Sequence, residues 1–173
     1  MDGRFFIFCY GAKTPVEIGI LWSDNMADLR VLKKLITHLS VAIKQQMGEK
    51  KKIAVNDLPV GEDIDSGLLS LLECDFLLII LSIDILADEK GSLFLDLLLH
   101  KLEQVETPLY AIYIYARTVN VEYVPQPSVR HLLIKPRTPL VLCSNQDECY
   151  EHLCELLAMR IELISIKIKT AGL

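Results

Sequence analysis

The unbroken apolar run Phe76-Leu77-Leu78-Ile79-Ile80-Leu81 constrains this chain more than any other stretch. A strand with one solvated face alternates polar and apolar residues, whereas a run of this kind is wet on neither face. It belongs in the middle of a parallel sheet with helices on both sides. The rest of the chain must then supply flanking strands and two helical layers. With 173 residues and 51% hydrophobic content, a single core suffices. The chain therefore reads as one domain over 1–173, with a core from 16 to 160 and terminal extensions at 1–15 and 163–173.

Taken in order, residues 4–10 read as a strand from their aromatic content, and Gly11 to Pro15 break it. Val16 to Trp22 form a second strand, and Ser23-Asp24-Asn25 supply helix-capping chemistry at its end. From Met26 to Met47 the apolar residues Leu29, Leu32, Leu35, Ile36, Leu39 and Ile43 recur at spacings of three and four, which predicts one long amphipathic helix. Lys52 to Val55 read as a short strand, Asn56 to Asp63 as a loop, and Leu68 to Leu72 as a brief helix before the central strand.

After Ser82, residues 83–91 read as irregular, with a helix opening at Ser92 and running to about Glu103. Leu109 to Tyr115 predict another strand, and the prolines at 125, 127, 136 and 139 predict mostly loop from 117 to 139. Leu140 to Cys143 read as the last parallel strand, and Ser144-Asn145 cap a helix to about Leu163. The alternation Ile164-Ser165-Ile166-Lys167-Ile168-Lys169 predicts a strand for the tail, paired with residues 4–10. Strand and helix alternate throughout, so the expected class is α/β. The expected form is a flavodoxin-like three-layer sandwich with a five-stranded parallel sheet in the order 2-1-3-4-5.

Charge and cysteine usage narrow the function classes. A net charge of −5 argues against a nucleic-acid surface, which needs clustered Lys and Arg to neutralise phosphates. The five cysteines are an odd number without Cys-x-x-Cys spacing, suggesting neither a disulfide framework nor a zinc site and favouring a reducing compartment. The opening residues lack the charge and apolar length of a secretory signal, and no stretch approaches the roughly 18 apolar residues of a membrane span. The expected setting is cytoplasmic, with no nucleic acid and no membrane as partner. His38, His100, His131 and His152 lie too far apart in sequence to suggest a metal site. Cys149 and His152 are one helical turn apart but lack oxyanion donors, so thiol catalysis is not expected. The Gly-x-Gly-x-x-Gly pattern of dinucleotide folds is absent.

At Asp57-Leu58-Pro59-Val60-Gly61 and Ile79-Ile80-Leu81-Ser82 the chain resembles a Toll/interleukin-1 receptor (TIR) domain of the divergent bacterial type. In that family the second strand ends in an acidic residue and a Pro-Gly-type loop, followed by a helix and a strand ending in Ser. The resemblance covers roughly residues 16 to 160. It implies a signalling or assembly domain that works by self-association or by docking a protein partner, and its bacterial type implies an antiphage setting. Asp57, Leu58, Pro59, Val60 and Gly61 would form one contact surface, and Ser92 and Phe94 on the following helix another.

Some family members instead consume NAD, using a glutamate on the helix after the Ser-ending strand to favour oxocarbenium-like charge near the nicotinamide ribose. This chain offers Asp96 at the matching position, in Ser92-Leu93-Phe94-Leu95-Asp96. The resemblance therefore implies Asp96 as the catalytic acid, Trp22, Ser23, Asp24 and Ser82 as lining of the ligand cleft, and NAD as substrate rather than cofactor. Against this, Asp withdraws the carboxylate by one methylene, and about 1 Å of misplacement can cost on the order of a hundredfold in rate. Asp96 is read more simply as a solvated acid near a helix start, Trp22 as core and Asp24 as a cap. The lead expectation is therefore non-catalytic, with no cofactor.

A further similarity, to receiver domains of two-component signalling, rests on Ile20 to Asn25 and on Ile134-Lys135-Pro136. Those domains carry paired acids after the first strand and a phosphorylated Asp ending the third. Here Asp24 stands alone at the first place and Ser82 fills the second, with Asp84 two residues on. The similarity implies at most a receiver unable to take phosphate.

Overall fold

The computed structural model describes residues 4–7, 16–48, 53–60, 70–71, 73–104, 110–119, 131–134 and 139–171. Their order is β1 (Arg4–Ile7), β2 (Val16–Ser23), α1 (Met26–Met47), β3 (Ile53–Val60), β4 (Phe76–Leu81), α2 (Ile83–Ala87), α3 (Glu89–Gln104), β5 (Tyr110–Tyr115), β6 (His131–Ile134) and α4 (Gln146–Ala171). The class is α/β: β2, β4 and β5 run parallel, with Ile18 opposite Phe76 and Phe76 opposite Tyr110. The sheet order is β1-β3-β2-β4-β5-β6, with β1 antiparallel to β3 at one margin.

The central run behaves as its composition demands, with every residue of β4 buried. Its side chains divide by parity. Phe76, Leu78 and Ile80 join Ile18, Ile20, Ile112 and Ile114 in a core closed by α1 and α4. Leu77, Ile79 and Leu81 join Leu21, Ala111 and Tyr113 in a second core closed by Ile85 of α2 and by Leu95 and Leu98 of α3. Period-two side chains on a strand covered twice thus build two cores from one sheet.

Helix α1 has the predicted bounds. The Asn25 side chain accepts hydrogen bonds from the Ala27 and Asp28 amides, satisfying two of the donors a helix start leaves over. Gly48 closes the helix at φ 72°, a left-handed backbone that glycine takes without a Cβ penalty.

Four expectations are corrected. Strand β3 does not stop at Val55 but continues through Asp57, Leu58, Pro59 and Val60, paired with Ile20 to Ser23 of β2. Pro59 is tolerated because β1 reaches only to Asn56, so this end of β3 has a single neighbour among the described residues. Gly61 to Asp63 of the expected loop lie outside the described residues. The stretch 83–91 is not irregular. Ser82 caps α2 through the Ile85 amide, and α3 begins at Glu89, so Ser92 lies within a helix rather than at its start. Leu140–Leu142 form a 3-10 turn, and the strand beside β5 is His131–Ile134. Pro139, set immediately before so short a run, favours a turn over a strand. Finally, the tail is helix to Ala171, and β1 pairs with β3 rather than with the tail. Ile161 and Ile164 of α4 are buried in the core that α1 closes, and that packing outweighs the strand propensity of alternating isoleucines.

Gly91 of α3 lies close against the backbone of α2. A Cβ there would fall inside van der Waals contact of the Ile85 carbonyl oxygen, a backbone atom that cannot swing away. Gly91→Ala is therefore expected to destabilise the fold by about 2 kcal/mol in urea unfolding. Unchanged stability would show that α2 and α3 separate freely.

Candidate functional site

In open α/β sheets the carboxyl ends of the strands are where ligands bind, especially where neighbouring crossovers diverge. Here that point lies between β2 and β4, because β2 is flanked by β3 on one side and β4 on the other. Ser23 ends β2, Ser82 follows β4 directly, and Arg117 lies two residues beyond β5. Helix α1 adds Asn25 and Asp28, and α2 adds Asp84.

These side chains form one connected network. Ser82 Oγ donates to Asp28 Oδ2 at 2.5 Å and accepts from the Ile85 amide at 3.3 Å. Both Asp28 and Ser82 have 0% exposure. Arg117 donates to Asp28 Oδ1 at 3.3 Å and also to Asp84 Oδ2. Asn25 Nδ2 reaches Ser23 Oγ at 3.1 Å and Asp84 Oδ2 at 3.2 Å. Burial pulls the Arg117 guanidinium down, but hydrogen bonds and charge from Asp84 and Asp28 outweigh it and raise it above its ordinary value. Arg117 is thus a permanent cation between two acids. The turn that carries it is pinned by Tyr115, whose hydroxyl donates to the Val119 carbonyl and accepts from the Val119 amide.

Several expected site residues meet here and others do not. Ser23 and Ser82 join the network. Asp24 is exposed, and Asn25, not Asp24, caps α1. Trp22 is packed in the core beneath α1 and α4, with its ring nitrogen lacking a hydrogen-bond partner among the described residues. Asp96 is exposed on α3, in the opposite helical layer. Trp22 and Asp96 therefore do not share a cleft. Ser92 is half-buried, and the Phe94 side chain lies outside what is described.

Sequence reading missed Asp28 and Arg117 altogether. Asp28 has the place of an ordinary first-turn acid, which the helix dipole favours without any partner. Only the strand-end placement of Arg117 after Tyr115 carried a signal, because polar residues at that edge converge in this architecture.

The chemistry open to this rim is limited by its own contacts. Ser82 beside a carboxylate has the outline of a nucleophile and base, but its proton and one lone pair are both engaged and it is closed to solvent. Burial first, then the neighbouring Cys149, pushes the Cys143 thiol up to about 11, and burial pushes Cys154 up to about 12, so neither supplies thiolate near neutral pH. Among the described residues no group of His, Cys, Asp and Glu could hold a metal ion, and no helix is long and apolar enough to cross a membrane. Comparison of the chain with protein-family models, with curated proteins and with solved structures gave no match.

Proposed function

We propose that this is a TIR-like signalling and assembly domain of flavodoxin-like form, with five parallel strands in the order 2-1-3-4-5, acting by self-association or by docking a protein partner. The observation that carries this reading is the separation of Asp96 from Trp22. The acid matching the catalytic position of NAD-consuming relatives faces solvent, while the aromatic residue expected beside it is sealed under the other helical layer. A rim whose polar groups already satisfy one another supports the same reading, since it recruits no substrate group without first giving up a contact.

Helix α3 supplies the contact surface. Leu93 and Leu97 are exposed one turn apart, with Asp96 and His100 beside them. Adjacent exposed leucines on a helix suit a protein partner better than water. Light scattering across concentration, together with partner capture, is expected to lose the association made through α3 in Leu93→Asp and Leu97→Asp, while the fold persists by circular dichroism. Association unaffected by both changes would remove α3 from the surface. Release of nicotinamide from NAD by the pure protein, abolished in Asp96→Ala, would overturn the reading in favour of hydrolysis.

A further inference from the structure

Helix α4 is apolar on two opposite faces. Tyr150, Leu153, Cys154, Leu157, Ala158, Ile161 and Ile164 are buried against α1 and the sheet. Leu156, Met159 and Leu163 are exposed. Their spacing of three and then four places the exposed residues on one stripe, in the a, d, a positions of a heptad. Glu155 and Glu162 border that stripe on one flank and Arg160 borders it on the other. Gln46 of α1 donates to Glu162 at 3.0 Å, holding that acid on its flank.

We propose that this stripe binds the same stripe of a second copy, as a parallel, in-register pair of α4 helices. The charge order selects both partner and direction. Glu155 precedes Arg160 by five residues, a separation at which residues of one helix do not face each other. In a parallel pair, five residues is the offset between a g position and the e position it meets on the partner helix. Glu155 of each copy then meets Arg160 of the other, so the contact occurs twice, as a two-fold axis requires. An antiparallel pair would set acids against acids and bases against bases. Met159 sits at the centre, where a flexible thioether fills the space between Leu156 and Leu163.

This inference deepens the assembly reading by naming a second copy as one partner, and it uses a helix separate from α3. Sedimentation of the full chain is expected to show a concentration-dependent dimer. Met159→Glu should abolish it, Arg160→Glu should weaken it by roughly tenfold, and Glu155→Arg combined with Arg160→Glu should restore it. Leu93→Asp should leave this dimer intact, so failure of the α3 surface and failure of the α4 pairing are told apart. A chain monomeric up to about 1 mM, a dimer indifferent to Met159→Glu, or a double charge swap that fails to restore pairing would each overturn the proposal. Circular dichroism on each variant separates lost pairing from lost folding.

Discussion

Phe76→Ala is expected to destabilise the protein by about 4 kcal/mol, the largest single loss any side chain here should produce. Phe76 has 0% exposure at the start of the central strand, stacked on Tyr110 with ring centroids 6.2 Å apart. Its neighbours are fixed from three directions, by Ile18 across the sheet, by Tyr110 on β5 and by the helices of the α1 and α4 layer. A cavity so enclosed collapses little, so the lost transfer free energy is compounded by the void. Against a total of roughly 5–15 kcal/mol for a domain, that loss leaves a substantial unfolded fraction. The check is the urea midpoint at constant slope. A loss below about 1 kcal/mol would mean that this end of the strand is not enclosed by the layer of α1 and α4.

Arg117→Ala is expected to be the second most damaging change, at about 2–3 kcal/mol. Removing one partner of an enclosed ion pair leaves the other charge without compensation, which costs about 3–5 kcal/mol when both are fully inside. Asp28 is fully inside, but Arg117 is 26% exposed, so water softens the loss. Asp28→Asn combined with Arg117→Ala should cost less than the sum of the two single changes by about 1 kcal/mol or more, because the amide needs no cation. Strict additivity in urea unfolding would show that Asp28 and Arg117 do not sense each other.

The parts of this fold legible in the sequence are those set by local pattern. The apolar run at 76–81 has one stable environment, and the three-four spacing from Met26 to Met47, with Asn25 before and Gly48 after, fixes α1 at both ends. The misreadings fall where local and tertiary preferences compete. Isoleucines at 164, 166 and 168 alternate like a strand, yet the helix already under way gains burial of Ile161 and Ile164 on α1 by continuing. The Asp57-Leu58-Pro59-Val60 stretch reads as a turn, yet β2 offers partners for all of it.

The candidate site was the least legible feature. Ser23 and Ser82 were in view because they end strands. The residues that connect them, Asp28, Asp84 and Arg117, are brought together across 89 and 33 positions of sequence, and no spacing rule reaches that far.

Ser82 has a consequence for anything that reaches this edge of the sheet. Its hydroxyl gives its proton to Asp28 while the first turn of α2 leans on its oxygen. A visiting molecule can therefore claim that hydroxyl only by exchange, offering Asp28 a replacement donor or letting the start of α2 loosen. Recognition at the end of the central strand is in this sense a trade of partners that the helix above it must register.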